Sequence, residues 1–278
     1  MKTYKIAAFD MDGTLLDSNK QIRPDSLEAM TRAKALGKVM CLSTGRNLAE
    51  LDVYRRQLPM VQYLMCVSGA IIVDNNTEEI VFSKSIDKQT ALELFKVSNE
   101  SDVVIHIHSD KSRFQKQDLD RLKDYGMGQY RDLFATVSTF HTNLYEDYLK
   151  NEYPIYKFNF YCKDVAERSR VEEKIKNLPI TMCYAEGKSL ECSPLGISKA
   201  SGLEFLCKHL GFKLDEAIAV GDAENDIEIL KAAGLGVAMG NAKEPVLKLA
   251  DTVVADCNNG GIKEVIDRFL IGGGEINA

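Results

Sequence analysis

Apolar, strand-like runs alternate with amphipathic helical stretches over residues 5–58, the pattern breaks off, and it returns after Pro194. This interrupted alternation constrains the fold more than any other feature of the chain. Parallel strands cannot be joined by a tight turn; they need a crossover, usually a helix, which packs back on the sheet with a right-handed sense. The outer stretches therefore predict one α/β domain, a doubly wound, mainly parallel, Rossmann-like sheet with helices on both faces, built from residues 1–83 and 193–278. In such sheets ligands bind beyond the carboxyl ends of the strands.

The opening strand, 5–9, gives way to a polar turn, Asp10-Met11-Asp12-Gly13-Thr14. Pro24 starts a helix in which Leu27, Met30, Ala33 and Leu36 recur at helical spacing until Gly37, a residue suited to ending it. The strand 39–42 runs into Ser43-Thr44-Gly45-Arg46, and 48–58 reads as the next helix. A third strand, 63–67, precedes a hairpin of 70–73 and 80–82 around Asp74-Asn75-Asn76-Thr77. Helix-like stretches (90–99, 165–178) then mix with alternating ones (103–108, 156–162, 180–184), which predicts an inserted α+β domain over 84–192. Beyond it come helix 199–210, strand 217–220, helix 225–233 and strand 235–238, and Gly272-Gly273-Gly274 reads as a frayed tail.

Composition narrows the partners. A net charge of -6 without a basic run excludes a nucleic-acid surface, which needs clustered Lys and Arg. The first residues form no basic region followed by a long apolar one, and no run of about 18 apolar residues occurs anywhere. The expectation is a cytoplasmic protein with small-molecule partners and no membrane association, a monomer or weak homodimer. Cys41, Cys66, Cys162, Cys183, Cys192, Cys207 and Cys257 are scattered, never in CxxC spacing, and read as reduced packing residues.

Polar residues gather where strands end. Asp10 and Asp12 lie two apart, so in extended geometry both carboxylates lean to one side, where close approach keeps one of them protonated as an acid. Gly13 permits a sharp turn, Thr14 can cap it, and the local amides face an anion; a plain Asx-type turn satisfies the same residues. Gly221-Asp222-Ala223-Glu224-Asn225-Asp226 follows a strand and precedes a helix. Magnesium wants a few hard oxygens and keeps several waters, so Asp10, Asp222 and one main-chain carbonyl suffice to hold it; an acidic helix cap is the other reading. Ser43-Thr44-Gly45 offers a hydroxyl and amide donors to a phosphate oxygen, or simply caps a helix. Lys199 offers a compact positive charge to the same group, or is merely solvated.

Together these segments resemble the four ordered motifs of the haloacid dehalogenase (HAD) superfamily, and more closely its Cof-type, subfamily IIB branch of sugar phosphatases. Phe9 to Leu16 is similar to the first motif, Ser43-Thr44-Gly45-Arg46 to the second, Lys199 to the third and Gly221 to Asp226 to the fourth. The resemblance covers essentially the whole chain, with 84–192 in the place of the family's type 2 (C2B) cap, the part that covers the crevice and sets specificity. It implies that Asp10 is the nucleophile that carries the phosphoryl group, and that Asp12 protonates the leaving alcohol and then activates water. It also implies magnesium held by Asp10, the Asp12 main-chain carbonyl and Asp222, with Asp226 behind them. Thr44, Gly45, Lys199, Asn225 and the main chain at Met11 would bind the phosphoryl oxygens. Arg46 is left between substrate contact and structural ion pair. Ser68-Gly69-Ala70 stands where many relatives have Asn-Gly-Ala, which weakens any substrate contact assigned there.

The implied activity is magnesium-dependent hydrolysis of phosphomonoesters, phosphosugars above all. Its rivals are a phosphomutase or phosphotransferase that passes the group to a sugar hydroxyl, and a non-catalytic phosphoacceptor or phosphosugar sensor; Asp12 speaks against the last. In the insert, His106 and His108 alternate on a strand and suit a metal pair, but without a third ligand an ordinary exposed strand face explains them as well. The tyrosines of 125–130 and 153–161 can stack on a sugar or fill a core, and Glu191 and Ser193 are weak candidates for substrate contact.

Overall fold

A computed structural model describes residues 3–184 and 187–272 of the chain; Gly273 and Gly274 of the expected tail lie outside them. Strands β1 to β5 (Ile6–Phe9, Val39–Ser43, Tyr63–Cys66, Ile71–Asp74, Ile80–Ser83) open the chain. Strands β6 to β11 (Val103–His108, Ser112–Gln115, Ser138–His141, Lys157–Cys162, Ile180–Cys183, Ser189–Pro194) fill its middle, and β12 to β14 (Ala217–Gly221, Leu235–Ala238, Thr252–Val253) close it. Two compact units result: Met1–Gly45, Tyr54–Phe82 and Ser198–Ala278 make the first, Arg46–Val53 and Ser83–Ile197 the second.

In the first unit the strand order is β14-β13-β12-β1-β2-β3-β4-β5. Every pair from β14 to β3 is parallel and β3–β4 is antiparallel, as the alternation predicts. Sequential strands run outward from β1 on one side while β12 lies against its other edge, so the order reverses at β1. That is the switch point where the carboxyl ends of β1, β2 and β12 splay around a crevice. Strand β1 is buried throughout, because helices cover both faces and Ile6 and Ala8 join Cys41, Met65, Leu203, Leu206 and Ala219 in one core.

The helix Pro24–Ala35 buries Ala29, Met30 and Ala33, and Gly37 ends it at φ +74°. Leu36, counted in its apolar stripe, is exposed instead. The helix expected over 48–58 is only a 3-10 turn, Leu48–Leu51, and one α turn, Asp52–Arg55. Leu51 and Leu58 are buried and Val53 is exposed. The third strand stops one residue early, since Val67 and Ser68 take left-handed φ of 52° and 55° to turn the chain into β4.

The second unit has the strand order β10-β11-β9-β6-β7-β8, antiparallel except for β7–β8. Side chains alternate across it. One face packs Ile105, Ile107, Phe158, Phe160, Leu190 and Cys192 against Leu94 and Phe95 of the helix Lys88–Asn99. The other face carries His106 and His108 on β6, Lys157 and Asn159 on β9 and Glu191 on β11. Strands β7, β8 and β11 and the helix Leu144–Asn151 lie in stretches whose sequence showed no clear period. All seven cysteines are free thiols and six are buried, in keeping with packing residues.

Candidate active site

The site forms in the first unit where β1 and β12 end. The Asp10 amide donates to the Val220 carbonyl at 3.0 Å, which continues the β1–β12 ladder by one residue and fixes where the aspartate points. The chain then turns tightly: Thr14 and Leu16 amides both donate to the Met11 carbonyl and the Leu15 amide to that of Asp10. Gly13 takes φ +81°, and a Cβ there would meet the Asp222 carboxylate, 2.9 Å from its Cγ. Glycine is needed for both reasons. Among the described residues the Met11 amide donates to nothing, as an amide presented to an anion would.

Two sequence-distant segments close on this turn. The Thr14 hydroxyl, expected to cap its own turn, donates instead to Asp222 Oδ1 at 3.0 Å. Lys199, at the start of the helix Lys199–His209, is held there by a capping box of Ser198 and Ser201. It is buried, and its Nζ lies 2.6 Å from both Asp10 Oδ1 and Asp226 Oδ1, so the solvated reading fails. The other oxygen of Asp226 accepts from the amides of Asp222 and Ala223, both at 3.1 Å. A Cβ on Gly221 would fall 2.6 Å from that same oxygen, so the strand must end in glycine for Asp226 to tuck beneath it.

The electrostatics follow from this crowding. Burial pushes the Asp10 carboxyl up, Lys199 pulls it down, and Asp226 and Asp222 push it up again; the net direction is upward. Burial, then the charges of Asp226 and Asp12, raise Asp222 to about 6 against the Thr14 bond and Lys199. Burial alone would lower Lys199, but Asp10 and Asp226 more than offset it and hold the ammonium charged. Ligand atoms of Asp10, Asp222 and Asp226 lie within 4.8 Å of one another. Lys199 takes one oxygen of Asp10 and Thr14 one of Asp222, which leaves each a second oxygen; both oxygens of Asp226 are engaged. Hard oxygens in excess of positive charge fit a divalent cation on Asp10 and Asp222, with Asp226 orienting from behind.

Other residues flagged in the sequence are placed less centrally. Asp12 is partly exposed and its carboxylate pairs with Lys20 Nζ at 2.7 Å, a partner that sequence reading overlooked. The Thr44 amide is committed to the Met65 carbonyl at 2.9 Å. Asn225 is half-buried one residue before Asp226. Gly45 ends one segment of the first unit, whereas Arg46 begins a segment of the second. Asn241 was also missed: its Nδ2 donates to the Gly13 carbonyl at 2.8 Å and its Oδ1 accepts from the Cys257 amide at 2.9 Å, bracing the turn from the far end of the chain.

In the second unit Tyr125, Tyr153 and Tyr161 are buried and fill cores. Glu191 pairs with the buried Lys157 at 2.6 Å, and Ser193 is buried. His106 and His108 are not on an exposed face; both are buried, which together with the Lys157 charge holds their imidazoles well below the usual histidine range.

Comparison with known proteins places this geometry. The family model of haloacid dehalogenase-like hydrolases matches residues 7–266. The chain is 28% identical over 268 residues to the 5-amino-6-(5-phospho-D-ribitylamino)uracil phosphatase YcsE of Bacillus subtilis, covering 96% of each chain. It is 27% identical over 274 residues to the HMP-PP phosphatase of Serratia proteamaculans, again covering 96% of each. A solved haloacid dehalogenase-like hydrolase of Bacteroides thetaiotaomicron superposes with a TM-score of 0.82 at 26% identity, over 96% of this chain and 100% of that one.

Proposed function

Because this chain belongs to the haloacid dehalogenase-like hydrolases and is a phosphatase of that family, we propose that it hydrolyses small phosphorylated metabolites, phosphosugars among them, through an aspartyl-phosphate on Asp10. The observation that carries this reading is Lys199 Nζ, 2.6 Å from Asp10 and 2.6 Å from Asp226, with Asp222 beside them. A buried carboxylate oriented by a fixed ammonium, with donors converging on the space before it, is what in-line attack on phosphorus requires.

Asp10 attacks phosphorus through one of its carboxylate oxygens, and the phosphorus–ester oxygen bond breaks as the aspartyl-phosphate forms. The ester oxygen departs as an alcohol with a proton from Asp12, and Asp12, now a carboxylate, takes a proton from the water that cleaves the aspartyl-phosphate. Phosphate leaves and Asp10 is restored. The Lys20 contact lies at the carboxylate of Asp12 and would have to yield when a substrate is protonated there. Lys199, the Met11 amide, the Thr44 hydroxyl, Gly45 and Asn225 bind the phosphoryl oxygens as they gather charge. Asp10, Asp222 and the Asp12 carbonyl would hold Mg2+, which when bound neutralises phosphate charge so that an anionic nucleophile can approach. Substrate choice rests with the inserted unit, as the resemblance implies.

The test is phosphate release over a panel of phosphorylated metabolites, with and without Mg2+, by the native chain and Asp10→Asn. Native release that needs Mg2+, abolished in a folded Asp10→Asn protein, is expected; undiminished release by the variant sinks the proposal. Isomerised phosphosugar without free phosphate would point to a mutase instead.

A further inference from the structure

Glu50, His106 and His108 form a second cluster of metal-ligating groups, wholly inside the second unit and absent from the chemistry above. All three are buried, and one ligand atom from each lies within 4.8 Å of the others. Glu50 Oε1 is 3.8 Å from His108 Nδ1 and 3.9 Å from His106 Nε2. Around a tetrahedral zinc ion, bond lengths of about 2.0–2.1 Å put neighbouring ligand atoms roughly 3.3–3.4 Å apart. The two Glu50 distances exceed that spacing by about half an ångström, within reach of side-chain movement.

The surroundings set the ring orientations. Tyr161 OH meets His106 Nδ1 at 2.9 Å, which leaves Nε2 as the ligating atom once Ser112, 2.7 Å away, turns its hydroxyl toward Ser138 Oγ at 2.8 Å. His108 Nδ1 is buried and makes no hydrogen bond with a described residue, although it faces Glu50. Its Nε2 lies 3.2 Å from the Asn159 side-chain amide, whose Oδ1 is also buried with no partner among the described residues. With that amide turned over, Nε2–H donates to Oδ1 and the Nδ1 lone pair is free for a cation, the usual arrangement in which a neighbour fixes the tautomer of a ligating histidine. Lys157 is nearby, but its charge is matched by Glu191 at 2.6 Å.

We infer that Glu50, His106 and His108 bind a divalent transition-metal ion, zinc in the first instance, at a site separate from the aspartates of the first unit. Two imidazoles and one carboxylate suit zinc and its neighbours and do not suit Mg2+, which takes oxygen ligands and dehydrates reluctantly. The ion would fasten the short turn Leu48–Leu51 to β6, the strand that carries both histidines.

The full chain, held in excess Mg2+ to fill the aspartate site, is titrated with Zn2+ by calorimetry, and zinc is located in crystals by anomalous scattering at its absorption edge. Uptake of one Zn2+ per chain is expected, with the anomalous peak between Glu50, His106 and His108. Glu50→Gln keeps size and hydrogen bonding and should weaken zinc at least about 100-fold, since altering a mere outer partner of a ligand costs 10–100-fold. A readout on the native chain does not depend on that variant folding: zinc should shift the ring resonances of His106 and His108 and leave those of His141 and His209 in place. No zinc uptake, a peak only at Asp10 and Asp222, unmoved resonances of His106 and His108, or an unchanged affinity in folded Glu50→Gln each overturns the inference. None of these results bears on phosphate release.

Discussion

The Thr14 hydroxyl donates to Asp222 Oδ1 at 3.0 Å across 208 residues of sequence, tying the turn after Asp10 to the far carboxylate. The bond fixes one oxygen of Asp222 and aims the other. Thr14→Val keeps the shape and removes the donor. It should cost about 1.5–3 kcal/mol of stability, as for a hydrogen bond to a charged group. It should also raise the Mg2+ concentration for half-maximal phosphate release several-fold, while kcat at saturating Mg2+ falls less. An unshifted Mg2+ curve would mean that the bond does not position Asp222.

Lys199 is the counter-charge for two buried carboxylates. Lys199→Met should destabilise the protein by about 3–5 kcal/mol, the usual result of leaving a buried charge without its partner. Adding Asp226→Asn should recover part of the loss, because one of the stranded charges is then gone. Urea unfolding of the single and double variants measures both effects. Stability losses that simply add would show that the pair does not interact.

Without a divalent cation the acid site should make stability fall as pH rises. The Asp222 carboxyl titrates near 6 in the folded chain, above its ordinary value of 3.8, so between those values the folded state binds more protons than the unfolded one. Unfolding free energy in chelator should therefore drop by about 2 kcal/mol from pH 4 to pH 7 through this group. Asp10 acts in the same direction. The drop should flatten in Asp222→Asn, and added Mg2+ should stabilise the native chain more at pH 7 than at pH 5, since its ligands must be deprotonated. Equal pH slopes in native and variant protein would refute the assignment.

Gly13→Ala should cost at least about 2 kcal/mol, because the left-handed conformation alone costs about 1–2 kcal/mol and the new methyl group also strikes the Asp222 carboxylate. Gly126 is a matched control: its φ is +79° with nothing within 4 Å of the added atom, so Gly126→Ala should show only the backbone cost. Thermal unfolding of the two variants separates collision from conformation. Similar losses at both positions would show that the carboxylate yields freely.

What the chain's sequence determined by itself is whatever follows from local period and from the ends of local elements. The strands around Asp10, Thr44 and Asp222 were legible because each is a short apolar run broken by a polar turn, and Gly37 ended its helix where a left-handed residue was needed. The helix expected over 48–58 breaks into a 3-10 turn and one α turn although Leu48, Leu51 and Leu58 share a helical face, so period alone did not foretell it. Tertiary structure alone decided the partners. Thr14 chose Asp222 over its own turn, Asp12 turned to Lys20, and Lys199 joined two acids 189 and 27 residues away. It also brought Glu50 to His106 and His108, the third ligand that the strand pattern lacked. The reason is physical: hydrogen bonds and ion pairs between buried side chains depend on distances set by the packing of whole elements, and spacing along the chain carries no record of them.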